Sequence, residues 1–213
     1  MTYVYYNVTS ERLGTDTFNK LLQQLPPFIQ GQILKYRNWQ DRQRSLIGKA
    51  LLIEGLKSLG LNTSYSLSNL KFTQFKRPYF DDHIDFNISH SGAYTICAIS
   101  KTNKIGIDVE EIREIPIAGF EDQFSERELD EILQAENSLR AFYVLWTQKE
   151  AFLKGIGTGL HIPLNKISIS NKKILWQDKT WYLHELQLDH RYTAYLSADI
   201  SLQGISLNEV YFH

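Results

Sequence analysis

One cysteine, one methionine and five prolines are spread over 213 residues. With Cys97 alone, no intramolecular disulfide can close and no cysteine cluster can hold zinc. Its setting, Tyr94-Thr95-Ile96-Cys97-Ala98-Ile99, suits a buried and inert thiol. Neither sign of charge is in excess, since 23 Lys and Arg stand against 24 Asp and Glu. That balance argues against a dedicated nucleic-acid binder, which carries a basic surplus, yet it permits a local phosphate pocket. No stretch approaches the roughly 20 apolar residues of a membrane-spanning helix. The opening Met1-Thr2-Tyr3-Val4-Tyr5-Tyr6 has no basic segment followed by an apolar one, so the expectation is no signal peptide and a cytoplasmic location. Low-complexity segments and residue-level repeats are absent as well.

What is present is aromatic and apolar: 4 Trp, 12 Tyr and 11 Phe, within a 43% hydrophobic fraction, predict a substantial core. Tyr3 to Val8 reads as a strand. A helical stretch follows from about Asp16 to Leu59, restarted at Pro26-Pro27 and carrying Leu46, Ile47, Ala50, Ile53 and Leu56 at helical spacing. Strands are expected at Lys71–Thr73, Ile84–Ile88, Ala93–Ile99 and Lys104–Val109, and a helix over Glu126–Lys154. Further strands are expected at Lys166–Ile169, Trp181–Leu188, Tyr192–Ser197 and Gly204–Phe212. Two rounds of helix and strand give two α/β lobes, 1–103 and 104–213, within one α+β unit.

Three segments carry chemistry. In Ile105-Gly106-Ile107-Asp108-Val109-Glu110 the alternation of a strand puts Gly106, Asp108 and Glu110 on one face. Residues i and i+2 lie about 6.6 Å apart, close enough for both carboxylates to reach one cation. Hard oxygen donors without a nearby histidine suit Mg²⁺ or Mn²⁺ better than zinc. Taken alone, the hexapeptide is more often an edge strand with its polar face in water.

In Leu139–Gly155, helical spacing aligns Leu139, Phe142, Leu145, Trp146, Phe152 and Leu153 in one apolar stripe. Glu150 and Lys154 border it one turn apart, a spacing that a plain surface ion pair also explains. Lys149 falls inside the stripe, where an ammonium must snorkel or meet a partner. The third segment, Phe86-Asn87-Ile88-Ser89-His90-Ser91-Gly92, ends a strand in a polar turn. Ser89 and His90 are adjacent and so point to opposite faces, which excludes a Ser–His nucleophile pair. Gly155, Gly157 and Gly159 follow a helix, the wrong context for a dinucleotide loop.

In this order the segments resemble the Sfp-type 4′-phosphopantetheinyl transferases, whose pattern is roughly [IV]-G-[IV]-D, some forty residues, then [FW]-x-x-K-E-[AS]-x-x-K. Here it reads Ile105-Gly106-Ile107-Asp108 and Trp146-Thr147-Gln148-Lys149-Glu150-Ala151-Phe152-Leu153-Lys154, with Phe86–Ser91 and Arg44-Ser45-Leu46-Ile47-Gly48 upstream. The likeness covers about residues 36–165. It implies two similar lobes related by a pseudo-twofold axis, with coenzyme A in the cleft between them. It also implies a holo-[acyl-carrier-protein] synthase type of activity, transferring 4′-phosphopantetheine to a serine of an acyl or peptidyl carrier protein, by a monomer. By the same resemblance Asp108, Glu110 and Glu150 hold Mg²⁺, while Lys154, Ser89 and His90 contact phosphates. Arg44 and Arg77 bind the nucleotide end, and Glu150 is the candidate base. Two departures stand out. Lys76 occupies a place where the family often has glycine, and Ile29 and Gln32 stand where cations for the 3′-phosphate are often found. The competing readings are a Mg²⁺-dependent coenzyme A or nucleotide pyrophosphohydrolase and a non-catalytic carrier-binding paralogue.

Overall fold

Alternate side chains of the first strand, β1 (Thr2–Val8), divide between two layers. Tyr5 joins a core shared with the helices, whereas Val4 joins one shared with the other half of the molecule. The structure is a computed structural model describing residues 1–81 and 83–213. Strands β4 (Asp85–Ser91) and β5 (Tyr94–Ser100) form a hairpin, and β5 runs antiparallel to β1. Helices α1 (Thr15–Gln23), α2 (Pro27–Leu34) and α3 (Trp39–Ser58) cover the outer face of this sheet. Pro27 sits in the first turn of α2, where its missing N–H leaves no bond unmade. A small hairpin, β2 (Lys71–Phe72) with β3 (Pro78–Tyr79), leads into β4.

The second half is a sheet of order β6-β9-β8-β7, from β6 (Ile105–Glu111), β7 (Lys173–Trp176), β8 (Lys179–Glu185) and β9 (Tyr192–Ala198). Between β6 and β7 come α4 (Glu126–Gln134) and α5 (Ser138–Ile156), and α5 lies across the sheet. The last strand, β10 (Ile205–Glu209), returns to the first sheet and pairs parallel with β1. The result is an α+β fold of two similar lobes, each a four-stranded sheet carrying one long helix. Val4, Ile96 and Ala98 of one sheet meet Ile107, Val109 and Leu196 of the other in a single buried cluster. Among the described residues no helix is long and apolar enough to cross a membrane.

Two expectations are corrected. The helix read over Glu126–Lys154 is broken: Ala135 turns to extended backbone at ψ 144, and Asn137 caps the restart at the Arg140 N–H. The strand read at Lys166–Ile169 is a short 3₁₀ turn, Leu164–Lys166, followed by irregular chain. Leu164 and Ile167 both bury, and a spacing of three is that of a turn, not of a strand.

Candidate active site at the seam between the lobes

Helix α5 meets strand β6 through two glycines. A Cβ on Gly106 would collide with the Ala151 carbonyl and the Gly155 nitrogen, both backbone atoms. A Cβ on Gly155 would lie 2.6 Å from the Trp181 ring. Ser197 of β9 locks the crossing by donating to the Ala151 carbonyl at 2.7 Å. With no side chain between them, helix and strand touch, and the turn that carries Glu150 and Lys154 lies along the polar face of β6.

Lys154 Nζ donates to Asp108 Oδ1 at 2.6 Å and to Ser89 Oγ at 2.9 Å. Ser89 in turn donates to the same Asp108 oxygen at 2.8 Å, across the boundary between the lobes. Asp108 is 2% exposed, and its other oxygen, Oδ2, is buried without a partner. Two residues on, Glu110 accepts a 2.8 Å bond from Ser91. The strand is thus an edge strand, as its alternation suggests, but its polar face meets α5 and the neighbouring lobe instead of water.

Burial pushes the Glu110 carboxyl up to about 7, and the adjacent Asp108 charge adds to the rise. Burial also raises Glu150, again with Asp108 contributing. His90 moves the other way: although it is exposed on one side, loss of hydration at the seam lowers it, and the Lys154 and Arg44 charges lower it further. Crowded carboxylates in a low dielectric resist ionisation unless a cation joins them. Lys154 supplies one positive charge. The bare Oδ2 of Asp108 and the raised Glu110 and Glu150 are all-oxygen donors that suit a hard divalent ion. Among the described residues, however, no three acidic, histidine or cysteine side chains are arranged closely enough to form a metal-ligating group. The Lys154 ammonium holds Asp108 and, with the Ser91 hydrogen bond to Glu110, offsets only part of what burial and the Asp108 charge do to Glu110 and Glu150.

The remaining expected residues lie along the same seam. Arg44 donates to the Gly92 carbonyl through Nη2 at 2.8 Å and Nε at 3.1 Å. Arg77 donates through Nη2 to Asp85 at 2.8 Å and to the Ile105 carbonyl at 3.0 Å. These anchors lie at opposite ends of β4, about 20 Å apart at the rise of an extended chain. A cavity of about 420 Å³ opens at the Gly92 end, with Arg44, Glu111, Arg113 and Arg191 in its wall. Lys149 is fully buried and has the partner its place in the apolar stripe demands: it donates to Glu128 at 2.6 Å and to the Leu164 carbonyl at 3.0 Å. Glu128 also closes the capping box of α4 with Ser125, so this lysine ties two helices together.

Sequence reasoning passed over Asp85 and Asn87, which the structure places on the seam beside Ser89 and Ser91. Their signal is visible in Asp85-Phe86-Asn87-Ile88-Ser89, where polar residues alternate with the apolar Phe86 and Ile88. Alternation alone could not tell whether that polar row faces water or another lobe.

Residues 104–199 match the family model of the 4′-phosphopantetheinyl transferase superfamily, and residues 14–102 match that of the 4′-phosphopantetheinyl transferase N-terminal region. The chain is 36% identical over 158 residues to the 4′-phosphopantetheinyl transferase gsp of Aneurinibacillus migulanus, covering 73% of this chain and 66% of that protein. It is 30% identical over 173 residues to the 4′-phosphopantetheinyl transferase Sfp of Bacillus subtilis, covering 77% of this chain and 75% of that one. Among solved structures, the Thermotoga maritima holo-[acyl-carrier-protein] synthase aligns with 25% identity and a TM-score of 0.37, over 45% of this chain and 61% of that chain.

Proposed function

The chain belongs to the 4′-phosphopantetheinyl transferase superfamily, and from that premise we propose that it transfers 4′-phosphopantetheine from coenzyme A to a carrier-protein serine with Mg²⁺. The observation that carries this reading is the buried Asp108, paired with Lys154 and Ser89 on one oxygen and bare on the other.

In this reaction the serine oxygen bonds to the phosphorus that bears the pantetheine. The bond from that phosphorus to the bridging oxygen breaks, and 3′,5′-ADP leaves with the electron pair. Phosphoryl chemistry of this kind needs alignment and charge neutralisation more than covalent help. Asp108, Glu110 and Glu150 would hold the Mg²⁺, which supplies neutralisation of the pyrophosphate charge. Lys154 stands beside Ser89 and Asp108, where its ammonium can meet a phosphate oxygen. Glu150 takes the serine proton. His90, kept neutral at pH 7 by its surroundings, donates to a phosphate through its ring N–H.

The test is intact-mass spectrometry of an apo carrier protein after incubation with this protein, coenzyme A and Mg²⁺. One phosphopantetheine should be gained, and EDTA should abolish the gain. Release of 3′,5′-ADP in the absence of any carrier, with no mass gain in its presence, would replace transfer with pyrophosphate hydrolysis.

A further inference from the structure

Strand β6 stands at the edge of its sheet, with β9 on one side only. An edge strand leaves every second N–H and C=O without a ladder partner. On β6 those outward groups belong to Ile105, Ile107, Val109 and Glu111, because three of their four N–H groups reach across to β4. Ile105 N–H donates to Asp85 Oδ2 at 2.8 Å, Ile107 N–H to Asn87 Oδ1 at 3.1 Å, and Glu111 N–H to Ser91 Oγ at 3.1 Å. Each pair is separated by 20 residues, so the rungs keep one constant register. The Ile105 carbonyl also faces this way, accepting from Arg77. Side chains of one lobe therefore stand in for the missing neighbour strand of the other.

The register predicts a fourth rung, Ser89 to Val109, and it is absent. Ser89 Oγ is directed to Asp108 and Lys154 instead. The Val109 residue is fully buried, and among the described residues no side-chain acceptor takes its N–H, since Ser89 Oγ is engaged with Asp108 and Lys154. The row Asp85, Asn87, Ser89, Ser91 thus divides its labour. Asp85, Asn87 and Ser91 hold the edge of β6, Ser91 also donating to Glu110, and Ser89 is released to the site altogether.

We propose that Asp85 and Asn87 are positioning residues of the active site, holding β6 in register so that Asp108 and Glu110 lie opposite Ser89 and Ser91. Asn87 is the cleaner case, since Asp85 also neutralises Arg77. Its carboxamide oxygen fixes the N–H immediately before Asp108, at 9% exposure. Losing that acceptor frees the strand to slide or tilt beneath α5, moving the carboxylates by fractions of an ångström to which phosphoryl transfer is sensitive.

The kinetic arm of the test rests on the transfer reading above; the exchange arm does not. Backbone amide exchange, resolved by residue in the metal-free protein, should find Ile105, Ile107 and Glu111 protected. Val109 should exchange about tenfold faster or more, as one missing hydrogen bond implies. If burial alone protects this edge, Val109 will be as slow as Ile107, and the proposal fails without any variant being made. Asn87→Leu, which removes the acceptor while keeping the branched shape and heavy-atom count, should bring Ile107 to the rate of Val109. Gly106 and Asp108, whose N–H groups face β9, should stay slow. In transfer assays the same variant should lose about tenfold or more in kcat, with KM for coenzyme A within about threefold, and Asn87→Asp, which keeps an acceptor, should recover most of it. Unchanged kcat in Asn87→Leu, or equal losses in Asn87→Asp and Asn87→Leu, would overturn the positioning role. A wild-type protein that shows the exchange pattern but transfers nothing would overturn the transfer reading and leave the seam standing.

Discussion

Lys154 Nζ lies 2.6 Å from Asp108 Oδ1, so one ammonium joins the helix and the strand on which the site is built. The pair is close to solvent on one side only: the lysine is 29% exposed and the aspartate 3%. Replacing either partner strands the other, but not symmetrically. Without Asp108 the lysine can turn to water; without Lys154 the carboxylate stays buried.

Asp108→Ala should therefore abolish transfer while the protein still folds, with a rate loss of about 10²–10³-fold or more, the scale of removing one preorganised charge partner. Lys154→Ala should lower kcat more than it raises KM for the carrier. Steady-state kinetics with a purified carrier check both, and near-normal turnover in Asp108→Ala would remove that residue from the site.

Lys149 should prove structural. Removing one partner of a buried ion pair costs about 3–5 kcal/mol, and Lys149→Met would leave Glu128 without the charge that meets its capping-box oxygen. Chemical denaturation should show a loss of that order, with Glu128→Gln in the same background restoring part of it. A melt indistinguishable from wild type would contradict the strut.

Lys76 holds a left-handed backbone at φ 63, at the place where the family often has glycine. Left-handed backbone costs a side-chain-bearing residue roughly 1–2 kcal/mol, partly offset by the extra entropy glycine loses on folding. Lys76→Gly should stabilise the protein by up to about 1 kcal/mol. A destabilised variant would mean that the lysine side chain makes a stabilising contact outweighing the strain.

His90 gives the pH dependence a sign. Its folded pKa lies below the ordinary value because of partial loss of hydration at the seam and the Lys154 and Arg44 charges, with Asp41 acting the other way, and its exposed side keeps the effect modest. Below about 6.5 the unfolded chain therefore binds a proton that the folded protein resists. Stability from this residue is complete above that pH and is lost as pH falls toward the folded value. Glu110 and Glu150, being raised, contribute an opposite slope, so the informative quantity is the difference between wild type and His90→Gln. That difference in melting temperature should shift in favour of the variant from pH 7.5 to 5.5; a flat difference would contradict the assignment.

Much of the site could be read along the chain. Asp108 and Glu110 share a strand face by alternation, and Glu150 and Lys154 share a helix edge by their four-residue spacing. These are local periodicities, and local backbone geometry enforces them wherever the chain ends up. The break at Ala135 and the 3₁₀ turn at Leu164–Lys166 were harder to see, because apolar spacing over a few residues does not separate a turn from a strand or one helix from two.

The sequence by itself determined the polar row of β4, the carboxylate face of β6 and the charged edge of α5, since each follows from the period of one element. Only the tertiary structure decided that these three meet. Gly106 and Gly155 had to bring two backbones into contact, β10 had to cross back to the first sheet, and the row Asp85, Asn87, Ser89, Ser91 had to face a lobe instead of water. A strand with alternate polar residues is equally at home against solvent or against another edge. The choice is made by burial and hydrogen-bond demand across the seam, which no single segment contains.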